Sequence, residues 1–131
     1  MISRRAVLAS LAFGAAFAAA PAWAQAQIEQ IGTAELKAGL ADGSVVLIDV
    51  REPDEFASGH VAGATLMPLS RFDPTRLPAA QPGKKIVMMC RSGNRSQRAI
   101  AMAQAAGRRD IHLNYEGGIL NWVRSGEIAS R

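Results

Sequence analysis

Cys90-Arg91-Ser92-Gly93-Asn94-Arg95-Ser96 is the segment whose residue types could carry out a reaction, since a thiol, two guanidinium groups and two hydroxyls fall within a few positions of a glycine. Cys90 is the only cysteine of the chain. A lone thiol cannot be an internal staple, so it is a buried small residue, an intermolecular link or a reactive group. Its surroundings point to the third. Ile86-Val87-Met88-Met89 is a continuous apolar run, the pattern of a strand buried on both faces of a parallel sheet. From Ser96 to Ala106, Ala99, Met102, Ala103 and Ala106 share one helical stripe. Strand, tight loop and helix together make an anion cradle. Gly93 and Asn94 tolerate left-handed backbone angles, successive N–H groups turn inward, and the helix adds its free N–H groups and positive dipole end. Arg91, Arg95 and Arg98 add positive charge nearby. The loop therefore predicts a Cys90 pKa below the ordinary thiol value of about 8.5. It also requires amides that face the sulfur and a sulfur open to solvent.

Other segments must bring supporting groups to this loop. Val45-Val46-Leu47-Ile48 repeats the buried-strand pattern and stops at Asp49, so Asp49 and Cys90 both fall at strand carboxyl ends, where open α/β sheets bind their ligands. Thr33 to Leu40 predicts an N-capped helix ended near Asp42-Gly43. Pro53 predicts the start of a short helix through Ala57, with Gly59 suited to ending it. A brief strand near Ala64–Met67 precedes a covering loop, in which Pro68, Pro74, Pro78 and Pro82 leave room for one short helix around Pro74–Leu77. Gly107 stops the helix after the Cys90 loop, Ile111–Asn114 supplies a third strand, and Ile119–Ser125 a last helix. Strands alternating with helices predict a doubly wound α/β domain with a mainly parallel sheet flanked by helices.

Four motifs in order resemble those of the single-domain rhodaneses, a family of sulfurtransferases. They are Val46-Leu47-Ile48-Asp49-Val50-Arg51-Glu52, Gly59-His60-Val61-Ala62-Gly63-Ala64, Cys90-Arg91-Ser92-Gly93-Asn94-Arg95-Ser96 and Glu116-Gly117-Gly118-Ile119-Leu120-Asn121-Trp122. The resemblance implies a rhodanese domain over residues 28–131, Cys90 as the nucleophile, and persulfide chemistry. It implies a substrate-binding cradle from Arg91, Ser92, Gly93, Asn94, Arg95 and Ser96, and no need for a metal or an organic cofactor. Small-molecule partners follow: thiosulfate as the typical donor, cyanide or a thiol as the acceptor, with a protein persulfide acceptor as the alternative. In that chemistry the thiolate attacks the outer sulfur, sulfite leaves, and the acceptor then frees Cys90. Arg91 is the candidate for steering the sulfonate end of thiosulfate, and Arg95 for supporting the loop or the anion.

Asp49, Arg51 and His60 are expected to give structural support. Asp49 could orient Arg95 or hold the cradle's shape, Arg51 and Glu52 are expected to pair at the same edge, and His60 has no proton to move in this chemistry. His112 has no ligand set at metal spacing, so no metal site is expected. Trp122 belongs to the core or a pocket wall, and Gly117-Gly118 permits close backbone approach beneath the pocket. The nearest rival enzyme is a cysteine phosphatase. That pattern places five residues between Cys and Arg, whereas Arg91 to Asn94 are four, and it commonly carries His where Met89 stands.

The 131 residues form one small domain, with a net charge of +4 and 5% aromatics. Arg4 and Arg5 precede an Ala-, Leu- and Phe-rich run to Ala20, then Pro21-Ala22-Trp23-Ala24. This predicts a signal peptide over residues 1–24, cleaved near Ala24 or Ala26. Ser3-Arg4-Arg5-Ala6-Val7-Leu8 resembles a twin-arginine signal, ordinary unfolded export being the alternative. The run falls short of the ~20 residues of a spanning helix, so no stable membrane anchor is expected and the product should be periplasmic. No dense basic stripe is present, which excludes a nucleic-acid binder, and one cysteine excludes a disulfide-stapled module.

Overall fold

The computed structural model describes residues 26–127 and 129–131; the signal peptide expected over residues 1–24 lies outside them. Five strands, β1 (Glu29–Ile31), β2 (Val45–Asp49), β3 (Thr65–Leu66), β4 (Lys85–Met89) and β5 (Leu113–Tyr115), form one sheet in the order β1-β5-β4-β2-β3. Every pairing is parallel. The connections carry the helices α1 (Thr33–Asp42), α2 (Pro53–Ala57), α3 (Asn94–Ala105) and α4 (Gly118–Arg124). No helix of the described residues is long and apolar enough to cross a membrane.

The continuous apolar runs have the cause expected of them. Along β4, Ile86 and Met88 face one core with Ile48, Ala99, Ile100 and Ile111, while Val87 and Met89 face another with Leu36, Leu113, Tyr115 and Trp122. Helix α3 covers the first face, and α1 and α4 cover the second, which makes the domain doubly wound. Along Leu47–Asp49 of β2 and Ile86–Met89 of β4 both faces are dry, and each fully buried aliphatic side chain contributes about 1.5–3 kcal/mol. This rigid centre holds Asp49 and Cys90 at its carboxyl edge.

Several elements differ from the expectation, each for a physical reason. Strand β1 is an addition to the expected elements: it has three residues and exists through pairing with β5, including Glu29 N–H to His112 O at 2.8 Å and Glu116 N–H to Ile31 O at 3.0 Å. Strand β5 begins two residues later than expected, because Ile111 enters the core without joining the ladder. The cap of α1 is Gly32, with no side-chain bond. The Thr33 hydroxyl lies 2.7 Å from Tyr115 Oη, a phenol oxygen that burial would otherwise leave without a partner. The proline-rich loop contains two 3₁₀ turns, Leu69–Arg71 and Pro74–Arg76, and buries Phe72 and Leu77 on the α3 side. Helix α3 starts at Asn94 rather than Ser96, since Gly93 completes the turn at φ +109°.

Candidate active site

Cys90 follows the last residue of β4, and its Sγ sits inside the turn that leads to α3. Gly93 N–H donates to Sγ at 3.0 Å, and the Ser96 hydroxyl lies 3.4 Å away. Burial is the largest single influence on the thiol and opposes ionisation. The Ser96 hydroxyl and the N–H groups of Ser96, Gly93 and Ser92 together outweigh it and hold the pKa below its usual value. The amides thus face the sulfur. Gly93 alone uses a left-handed angle; Asn94 has an ordinary helical backbone and an exposed side chain, with no bond to the sulfur. One expectation fails outright: Cys90 is 1% exposed, not open. The turn that supplies the donors also closes over the atom they hold.

The arginines divide. Arg91 is exposed and makes no side-chain hydrogen bond or ion pair among the described residues. Arg95 is held by Glu55 of α2 through two bonds, Nη1 to Oε1 at 2.6 Å and Nη2 to Oε2 at 2.8 Å. That geometry fixes both terminal guanidinium nitrogens on a carboxylate, so Arg95 braces the loop against α2. Arg95, mainly through its hydrogen bonds, draws the Glu55 pKa down to about 2.

Asp49 does not orient Arg95. It is fully buried and binds Arg51, with Arg51 Nε 3.0 Å and Nη2 2.8 Å from its Oδ2. Arg51 is 4% exposed and reaches on to the carbonyls of Glu55 and Gly59 at 3.1 and 2.8 Å, clamping α2 to the end of β2. The expected Arg51–Glu52 pair is absent; Glu52 caps α2 and accepts from the Ser70 hydroxyl at 2.9 Å. The reason is burial: a buried guanidinium takes the buried carboxylate, and the half-buried Glu52 spends its carboxylate on the α2 cap and Ser70. His60 stacks on Phe56, ring centres 3.8 Å apart, and has its Nδ1 2.9 Å from Phe56 O. Its backbone pairs with Ser130. These contacts are structural, and none reaches Cys90.

Gly117 and Gly118 dock α4 against the cradle. Ile119 and Leu120 N–H donate to the carbonyls of Cys90 and Arg91 at 2.9 and 3.2 Å. A Cβ on Gly118 would lie 2.2 Å from Cys90 O and 2.6 Å from Arg91 O, so only glycine permits this approach. Trp122 lies in the core, edge-on to Tyr115. Two residues that bond to the loop are absent from the expected set, Glu55 on Arg95 and Asn114 on Ser96. The capping pattern Glu52-x-x-Glu55 is a signal for the first, and a lone polar residue inside an apolar strand for the second.

Beside the loop lies a depression of about 310 Å³ lined by Arg51, Asp54, Glu55, Ser58, Arg91 and Ile119. A larger one of about 470 Å³, with Lys84, Lys85 and His112 in its wall, is at the amino ends of the strands and far from the thiol.

This parallel α/β sheet, with its thiol between a strand and a helix, has the fold of solved rhodanese-related structures. The chain belongs to the rhodanese-like domain family, whose model matches residues 32–125. A sulfurtransferase of Allochromatium vinosum is 37% identical over 100 residues, covering 76% of this chain and 92% of that protein. An uncharacterized protein of Synechocystis, slr1261, is 45% identical over 83 residues; the match covers 63% of this chain but 45% of that longer protein. A solved structure from Rhodopseudomonas palustris, of unknown function and described as a possible tyrosine phosphatase, is 30% identical with a TM-score of 0.67, over 83% of this chain and 91% of that one.

Proposed function

We propose that the protein is a thiosulfate sulfurtransferase that moves a sulfane sulfur through a Cys90 persulfide to cyanide or a thiol. The observation that carries this reading is the hydrogen bonding aimed at one sulfur: Gly93 N–H donates at 3.0 Å, the Ser96 hydroxyl lies 3.4 Å away, and an uncommitted Arg91 stands in the same loop. The thiolate attacks the outer sulfur of thiosulfate, the S–S bond of the donor breaks, and its electron pair departs with sulfite. One negative charge stays on the persulfide, within reach of the same amides. No proton is transferred, so no general acid is required. The acceptor then attacks the outer sulfur and the Cys90 thiolate leaves. Because Cys90 is 1% exposed, the donor reaches the sulfur only when the turn over it opens. The persulfide in turn extends the reactive group by about 2 Å.

A phosphatase reading is disfavoured by Arg95, whose two terminal nitrogens are already bound to Glu55. We also propose export to the periplasm, on the strength of the leader composition. Mass spectrometry after thiosulfate treatment should show one added sulfur on the Cys90 peptide, removed by cyanide as thiocyanate, with neither event in Cys90→Ser. Phosphate release from p-nitrophenyl phosphate without thiocyanate formation would overturn the proposal. Fast transfer to a protein thiol with slow transfer to cyanide would make the protein a persulfide carrier. Amino-terminal sequencing of protein recovered from the periplasm tests the compartment.

A further inference from the structure

Asn114 occupies the middle of β5, an interior parallel strand where an apolar residue is the rule. It is 1% exposed, and both polar atoms of its amide have a partner. Asn114 Nδ2 donates to Gln30 Oε1 at 2.8 Å, and Gln30 is its register partner on β1. On the other side Asn114 Oδ1 lies 2.5 Å from Ser96 Oγ. Ser96 is itself fully buried and 3.4 Å from Cys90 Sγ. An unbroken chain of polar atoms therefore runs from an exposed residue on the edge strand to the reactive sulfur.

The Ser96 hydroxyl has one proton and three neighbours able to accept it: Asn114 Oδ1, Gly93 O at 3.0 Å, and Cys90 Sγ. Gly93 O already receives Gln97 Nε2 at 3.0 Å. An amide presents an oxygen on one side and N–H donors on the other. In the arrangement seen, the Asn114 oxygen faces Ser96 at 2.5 Å and competes with the sulfur, 3.4 Å away, for its single proton. Half a turn of both amides keeps the chain intact with its direction reversed. Gln30 then donates to Asn114, Asn114 donates to Ser96 Oγ, and the Ser96 proton points at Cys90. A charged sulfur favours the second arrangement, since a hydrogen bond to an ion is about twice as strong as a neutral one.

We propose that Asn114 is a positioning residue which, together with Gln30, sets the direction of the Ser96 hydroxyl and so the charge held on Cys90. The proposal rests on Cys90 being the reactive thiol. Residue 30 offers a clean handle because it is exposed. Gln30→Glu can only accept, which locks the Asn114 oxygen toward Ser96 and should raise the Cys90 pKa. Gln30→Lys can only donate, which locks the opposite direction and should lower it. The charged groups of the loop and its braces, Arg91, Arg95 with Glu55, and Asp49 with Arg51, are the same in all variants.

The experiment is a pH titration of thiolate ultraviolet absorbance, assignable because Cys90 is the sole cysteine. The two variants should differ by about one pH unit, a tenfold change in thiolate fraction. Through-space charge acts with the same sign, so two controls separate it. The difference should fall to less than half in a Ser96→Ala background, where the relay is cut. It should persist at 1 M salt, where screening reaches ~3 Å. A difference that is undiminished in Ser96→Ala, or that vanishes in salt, overturns the relay. The salt control uses only variants of an exposed residue, so it stands even where Ser96→Ala does not fold. Because the titration needs no donor, it tests the relay even in a protein that forms no persulfide.

Discussion

Gly118→Ala should be far more damaging than its single added carbon suggests, and Gly83→Ala is the matched control. Both glycines have positive φ, +56° and +74°, so alanine costs about 1–2 kcal/mol at either position through backbone strain alone. At Gly83 nothing lies within 4 Å of the new Cβ. At Gly118 the Cβ would meet Cys90 O at 2.2 Å, against the 3.4 Å at which ordinary contact begins, so the two backbones must part by more than an ångström. That displacement breaks the bonds from Ile119 and Leu120 N–H to the carbonyls of Cys90 and Arg91, about 1 kcal/mol each. Gly118→Ala should therefore lose about 3–4 kcal/mol, a large share of the stability of a domain this size. Urea unfolding of both variants measures the gap, expected at about 2 kcal/mol. The same displacement should shift the Cys90 loop, so the thiolate titration should move in Gly118→Ala and stay put in Gly83→Ala. Two variants that unfold within about 0.5 kcal/mol of one another would refute the docking argument, since the standing error of such comparisons is a few tenths.

Arg91→Ala should raise the KM for thiosulfate about tenfold with kcat changed less than threefold, as expected of a residue that steers an anion without touching the transferred sulfur; steady-state kinetics with varied donor checks it. Asp49→Asn removes the partner of a 4% exposed arginine and should destabilise by about 3–5 kcal/mol in chemical unfolding, a loss under 1 kcal/mol being incompatible with an uncompensated buried charge. Glu55, with a folded pKa of about 2 against 4.5, supports the fold fully above pH 4.5, and that support is lost as pH falls toward 2. Since the Glu55–Arg95 pair is partly exposed, the contribution is about 1 kcal/mol after solvent screening. Glu55→Gln should flatten the acid limb of the stability curve in that window and leave the neutral region lower.

The parallel core was legible because its cause is local: an uninterrupted aliphatic run such as Ile86–Met89 needs dry surroundings on both faces, and only a covered parallel sheet supplies them. The thiol turn was legible for a similar reason, since glycine before a helix start dictates its own geometry. Partners across long sequence gaps were not. Arg95 finds Glu55 forty positions away, and Asn114 finds Gln30 at a separation of eighty-four. Nothing in the spacing of either residue announces the other. Burial of Cys90 was also hidden, because the loop composition that promises donors says nothing of how tightly the turn closes.

Strand β1, among the first segments of the domain to be synthesised, has β5 as its sole neighbour in the sheet. A growing polypeptide must therefore carry Glu29–Ile31 unattached until Leu113–Tyr115 has emerged, and assembly waits on a contact of long range, the kind that slows folding. Nascent chains halted short of Asn114 would hold Gln30 and Ile31 without a docking strand. The thiol's surroundings are completed at the end of synthesis, when the two ends of the domain meet.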